Sequence, residues 1–275
     1  MSAVLRARRS SLLFWLVLGI TSSCAQAQSG KSEYQPQVGQ EGKDVIWVPT
    51  PQPLVDRMLD MGKVTSQDYV IDLGSGDGRT VITAAKRGAR ALGIEYNPDM
   101  VELSRRNAVK EGVNDRASFV KADLFESDFS KATVITMFLL PDINLKLRPK
   151  ILNLKPGTRI VSNSFTMGDW AADDSVTAKD GCVSYCTAYL WIVPAKVDGV
   201  WQLPDGTLTL NQTYQMFSGS LRRGNNTIQI ANGKLRGDQI MFNAAGALYT
   251  GRVSGNSMEG SISSGGDWKA TRAAK

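Results

Sequence analysis

No histidine occurs anywhere in the 275 residues. That absence excludes histidine-based triads, histidine metal sites and imidazole general bases. Cysteine is scarce, with three in the whole chain. Cys24 lies near the N-terminus, and Cys182 and Cys186 alone make a poor zinc site. No long hydrophobic run marks the N-terminal region: L-L-F-W-L-V-L-G-I (12–20) is nine residues, against the ~20 that span a bilayer. A charge excess is also missing. The formal net charge is +6, and three of those positives are Arg6, Arg8 and Arg9. The remaining 29 basic and 26 acidic residues nearly balance. No Lys/Arg stripe with interleaved aromatics appears, so the composition reads as a mixed, solvated surface and argues against a nucleic-acid partner.

What the N-terminus does contain is an ordered pattern. A basic stretch (6–9) precedes the apolar run, and T-S-S-C-A-Q-A-Q (21–28) follows with the small-residue triplet Ala25-Gln26-Ala27. That order predicts a signal peptide over 1–27, export with the periplasm as the expected compartment, and no stable membrane span after cleavage. An uncleaved anchor, lipidation at Cys24 and a degenerate twin-arginine signal at Arg8-Arg9 are the competing readings. Cys182 and Cys186 fit a disulfide in an exported chain. Four residues apart, they meet on a helix or turn but not along one straight strand.

Residues 28–44 are polar, rich in Gln and Gly, and read as a linker. From Val45 to 197 the pattern changes. A helix is predicted over 51–62, opened by Pro51 and closed by Gly62. Strands at 69–73, 91–95, 117–121, 133–138 and 158–162 then alternate with helices at 79–87, 98–111 and 143–154, with a short helical or loop piece at 125–129. Such alternation predicts an α/β fold whose largely parallel sheet is covered on both faces. The run T-A-Y-L-W-I-V-P-A (187–195) reads as an antiparallel edge strand. Residues 198–275 hold 12 of the 26 glycines between short alternating runs. They predict a small all-β barrel or sandwich, for which Trp201, Tyr214 and Trp268 are core aromatics or, if the barrel binds a ligand, its lining.

The chemistry centres on V-I-D-L-G-S-G-D-G-R-T (70–80). A buried strand runs into alternate glycines and then a helix, a geometry that brings backbone close to a ligand. A dinucleotide site wants G-x-G-x-x-G, and Arg79 occupies the place of its third glycine. Asp72 and Asp77 would also repel a pyrophosphate. S-adenosylmethionine carries no phosphate, and its sulfonium and amino groups are cationic. The turn therefore reads as a site for that cofactor, with Asp72, Gly74, Ser75, Gly76, Asp77 and Gly78 in contact. Glu95, seventeen residues past Gly78, ends the second strand where a carboxylate accepts from ribose hydroxyls. Asp123 follows the third strand, placed for the adenine amino group.

With those residues in view, 45–197 resembles a class I S-adenosylmethionine-dependent methyltransferase with a Rossmann-like sheet. It is most similar to the protein-lysine methyltransferases acting on the ADP/ATP carrier and on ATP synthase subunits, and to their bacterial relatives. The likeness rests on V-P-T-P (48–51), D-L-G-S-G-D-G-R (72–79), Glu95, M-F-L-L-P (137–141) and M-G-D-W (167–170), and it stops short of the C-terminal strands. It implies that Pro49 and Thr50 lie near the methionine end of the cofactor. It implies a lysine side chain of a protein as acceptor.

Enzymes that methylate base amino groups often follow strand four with N-P-P-Y or D-P-P-Y. Here Met137-Phe138-Leu139-Leu140-Pro141 offers no polar acceptor, which leaves an apolar slot or simply a buried strand end. A slot of that kind suits lysine, whose pKa of ~10.4 falls on burial. Asp169 and Trp170 either close over the substrate or form a surface loop. No residue is assigned as catalytic base. The export signal conflicts with a cytosolic cofactor, so three readings stand: an active enzyme loaded before export, an exported cofactor-binding module without turnover, and a cytosolic enzyme whose N-terminus only imitates a signal.

Overall fold

The computed structural model describes residues 1–3 and 34–273. The apolar run, Cys24, the cleavage triplet and residues 28–33 of the linker lie outside the described residues.

The α/β half begins with helix α1 (Gln52–Met61), where Pro53 stands in the first turn. Pro51 presets the entry backbone angle, and Leu54, Val55, Met58 and Leu59 recur at helical spacing to give one buried face. There follow β1 (Tyr69–Leu73), α2 (Arg79–Lys86), β2 (Arg90–Glu95), α3 (Pro98–Lys110), β3 (Ala117–Lys121), β4 (Val134–Met137), α4 (Pro141–Ile151) and β5 (Arg159–Asn163). The helix expected at 143–154 starts two residues earlier, because Pro141 serves as its first residue rather than as a break before it. Two further strands, β6 (Asp174–Thr177) and β7 (Thr187–Ile192), complete the sheet.

The strand order is β3-β2-β1-β4-β5-β7-β6. All neighbours are parallel except β7, which runs antiparallel to both β5 and β6. The 187–195 run is therefore antiparallel as expected, but it is not at the edge. The short polar strand β6, whose alternation is too weak to read, covers it. Pleating puts Val70, Ala91 and Val134 on the face packed by α1, α2 and α3. Ile71, Leu73, Ile135 and Ile160 face α4, Trp170 and Trp191. Chain order reverses between β1 and β4, so a crevice opens beyond the carboxyl ends of those two strands.

The C-terminal strands are β8 (Gly199–Leu203), β9 (Gly206–Thr213), β10 (Met216–Arg223), β11 (Asn226–Gln229), β12 (Ala231–Arg236), β13 (Gln239–Ala244), β14 (Ala247–Ser254), β15 (Ser257–Ile262) and β16 (Asp267–Arg272). Pairing of β9 with β10 closes eight of them into an antiparallel barrel, with β11 hairpinned onto the end of β10. Of the two forms expected, barrel and sandwich, the barrel is found. Its inside is solid. Trp201, Phe217, Phe242, Tyr249 and Trp268 are all buried there, so Trp201 and Trp268 are core and line no lumen. Tyr214 lies outside that core and stacks on Trp170 at 5.9 Å between ring centroids. Residues 34–273 cluster as one compact unit. Among the described residues no helix is long and apolar enough to cross a membrane.

Candidate active site

A cavity of about 590 Å³ occupies the crevice, within the usual range for small-molecule sites. Every sequence-predicted residue reaches it except Gly78: Pro49, Thr50, Asp72, Gly74, Ser75, Gly76, Asp77, Glu95 and Asp123 all line it. Gly78 acts one step behind the wall. It caps α2 with φ of 82°, and a Cβ there would stand 2.8 Å from Phe119 and Ser104. Only glycine lets α2, α3 and the sheet approach this closely.

The turn itself is held by backbone and side-chain bonds. The amides of Gly74 and Ser75 donate to the Ile94 carbonyl at 2.9 and 3.1 Å. Glu95 accepts from the Gly76 amide through Oε2 and from the Asn97 amide through Oε1, both at 2.9 Å. Its carboxylate thus fixes the turn and the start of α3 while keeping acceptor capacity for hydroxyls. From α3, the Ser104 hydroxyl donates to the Gly76 carbonyl at 2.8 Å and Asn107 to the Asp77 carbonyl at 3.0 Å. Sequence reasoning finds neither residue. Their i, i+3 spacing on α3 is visible, but nothing in it says that this face meets the glycine turn.

Asp72 is buried at the end of β1. Burial pushes its carboxyl up to about 7; a 2.6 Å bond from the Thr136 hydroxyl opposes the rise, and the negative charges of Glu95 and Asp77 add to it. Thr136 sits directly across on β4, in register with Asp72. Asp77 is different. Arg79 grips it through Nε at 3.0 Å and Nη2 at 2.6 Å, and also donates to the Thr50 carbonyl at 2.9 Å. Its charge is compensated, so the negative character of the turn comes from Asp72 and Glu95. Asp123 accepts from the Phe125 amide at 2.8 Å and pairs with Lys43, which holds its carboxyl below the usual range together with that amide.

Lys43 belongs to the stretch read as linker. Residues 37–47 form a tight turn closed by a bridge between Glu41 and Ile46, and residues 40–50 line the cavity. Trp47 explains why: its indole lies against Gly76, where a Cβ would be 2.6 Å from Nε1. The stretch is polar because one side faces water, and its composition carries no hint of docking.

The loop residues 167–170 do not close over the cavity. Trp170 is fully buried against Trp191 and Tyr214. Asp169 pairs with Arg148 and accepts both contacts of the Tyr214 hydroxyl at 3.0 Å. That segment ties the barrel to the sheet.

The residues fit the expected cofactor. Ser75 Oγ is buried in the cavity wall without a protein partner, the turn presents backbone at Gly74 and Gly76, and buried acid faces where a cation would lie. This fold with this site defines a class I S-adenosylmethionine-dependent methyltransferase, an enzyme fold in which the sulfonium supplies an activated methyl group.

Comparison with known proteins agrees. Residues 72–174 match the ANTKMT methyltransferase domain. The chain is 45% identical over 152 residues to a protein-lysine N-methyltransferase of Saccharolobus islandicus, covering 54% of this chain and 94% of that protein. It is 35% identical over 103 residues to the adenine nucleotide translocase lysine N-methyltransferase of Mus musculus, covering 37% of this chain and 45% of that one. A solved RNA methyltransferase from Salinibacter ruber, in complex with S-adenosyl-L-homocysteine, is 49% identical with a TM-score of 0.51, covering 55% of this chain and 96% of that one. The chain belongs to the ANTKMT methyltransferase family. It spans only about half the length of the animal relatives it matches.

Proposed function

We propose that the protein transfers a methyl group from S-adenosylmethionine to the side-chain amine of a protein lysine. The observation that carries this reading is the wall of the cavity beyond β4. Met137, Phe138, Leu139 and Leu140 line it with Phe165 and Tyr185, and no amide or carboxylate interrupts them. A nucleobase amine would want such a polar acceptor. A lysine amine needs instead to lose its proton, and an apolar wall lowers its pKa. The neutral lone pair then forms the N–C bond as the S–C bond breaks and its electrons return to sulfur; the new ammonium releases a proton. This chain's contribution is alignment: Asp72 would face the cofactor's cationic end and Glu95 its hydroxyls, while the apolar wall positions the amine. The protein-lysine methyltransferases among its relatives support the same acceptor. An exported binding module without turnover has no observation in its favour.

The test is transfer of labelled methyl from the cofactor to poly-L-lysine, with total RNA as the parallel acceptor. Label recovered as methyl-lysine after acid hydrolysis is the expected result. Label on RNA alone would reject lysine.

We propose also that the protein acts outside the cytosol, in the periplasm. The N-terminal pattern supports this, and so does the bond joining Cys182 and Cys186. Alkaline phosphatase fused behind residues 1–30 should be active; an inactive, stable fusion returns the protein to the cytosol.

A further inference from the structure

Three aromatic rings meet at one side of the cavity. Phe138 and Phe165 lie 6.0 Å apart between centroids with planes 21° apart. Tyr185 tilts against Phe138 at 5.2 Å and against Phe165 at 6.2 Å. They come from three places: the end of β4, the end of β5 and the loop before β7. All three line the same cavity as the glycine turn.

Two of these rings are aimed by unusual backbone. Ser164, just before Phe165, has φ of 60°, and Tyr185 itself has φ of 55°. Non-glycine residues in that region are uncommon and concentrate where function demands an orientation. The surroundings hold both. Ser164 donates its amide to the Thr187 carbonyl at 2.7 Å, and its hydroxyl bonds Asn163 at 2.8 Å. Tyr185 sits inside the loop that the Cys182–Cys186 bond closes. Cys182 packs on the hydrophobic cluster of Leu54 and Met58, so the loop is anchored to α1. Yet Tyr185 remains 44% exposed and Val183 fully so. A large ring held rigidly but left uncovered is shaped for a partner.

We propose that Phe138, Phe165 and Tyr185 form the acceptor slot, embracing the aliphatic arm and ammonium of the substrate lysine, and that the Cys182–Cys186 disulfide braces Tyr185 within it. This rests on the lysine reading above. The aliphatic arm packs on ring faces. The ring quadrupoles attract the ammonium and so offset part of the pKa drop that burial imposes, holding the arm in place before deprotonation and after each methyl is added. The residues assigned to the cofactor are the glycine turn, Glu95 and Asp123, and none of the three rings is among them.

The experiment measures KM for poly-L-lysine, beside the calorimetric Kd for S-adenosylmethionine, in the full chain and in Tyr185→Ala, Tyr185→Phe and Cys182→Ser/Cys186→Ser. Loss of one cation–ring contact corresponds to roughly a 3- to 30-fold rise in acceptor KM. Tyr185→Ala should show it, Tyr185→Phe should recover most of it, and the double serine variant should fall between. The cofactor Kd should stay within about twofold throughout, which also shows that each variant folds. An unchanged acceptor KM in Tyr185→Ala, or a rise matched by the cofactor Kd, overturns the slot. A second titration separates this from failure of the lysine reading: Nζ-trimethyl-lysine added to the S-adenosyl-L-homocysteine complex. If wild type transfers no methyl to poly-L-lysine yet binds this probe through Tyr185, the slot stands and the acceptor reading falls. If wild type does not bind the probe, the slot falls.

Discussion

Asp72 shows how one residue couples binding to stability. Its carboxyl lies at about 7 in the folded protein and near 3.9 when unfolded. Between those values the native state holds a proton that the unfolded chain has released, so ligand-free stability falls as pH rises from about 4 to 7. A cationic ligand reverses the preference, because it favours the ionised form. S-adenosylmethionine should therefore bind more tightly as pH rises from 6 to 8. Asp72→Asn keeps an oxygen for the Thr136 hydroxyl and removes the charge. It is expected to melt several degrees higher than wild type at pH 8, to melt higher by a clearly smaller margin at pH 5, where the unfolded wild-type carboxyl is already ionised, and to bind the cofactor at least tenfold more weakly. Melting curves at the two pH values and calorimetry at pH 6, 7 and 8 check this. An affinity flat across that range, or an asparagine variant that binds normally, refutes the role given to Asp72.

At the scale of elements, what can be read in the sequence is what depends on neighbours in the chain. The strand–glycine–helix passage at 69–86 needs only buried β-residues, glycines where φ is positive and an amphipathic helix, so β1, the turn and α2 are legible together. Glu95 and Asp123 are legible because they end strands whose positions alternation shows. What cannot be read is cross-chain register. Thr136 faces Asp72 only because β4 lies beside β1 with that offset. Ser104 and Asn107 reach the turn only because α3 packs against it. The polar stretch 37–47 docks through a single indole on Gly76, and no periodicity announces a contact of that kind. Asp169 is exposed, as a surface loop would have it, but Trp170 is fully buried and fits neither expected place. Trp170 is too large and apolar to leave exposed once Tyr214 of the barrel can cover it.

For the whole molecule, that last contact decides whether sheet and barrel are separate bodies. The barrel has its own core, which argues for independent folding. The junction argues the other way. Trp170 is sealed between Trp191 of the sheet and Tyr214, Gln215 donates to the Ala171 carbonyl at 2.8 Å, and the Ala195 amide donates to the Gly237 carbonyl at 2.8 Å. Removing the barrel would uncover the large Trp170 indole and take the Gln215 donor from the Ala171 carbonyl, so the two parts are expected to unfold together. Scanning calorimetry on the full chain should show one transition, moved as a whole by S-adenosylmethionine. A hundredfold excess over Kd stabilises by about 2.7 kcal/mol, or roughly 5–10 °C at this size. Trp201→Ala, which removes a fully buried ring of the barrel core that does not line the cofactor cavity, costs about 3–5 kcal/mol. It should lower that same single transition while leaving the cofactor Kd, measured well below the transition, unchanged. Two transitions, with the cofactor moving one and Trp201→Ala the other, would make the barrel an independent domain riding on the enzyme.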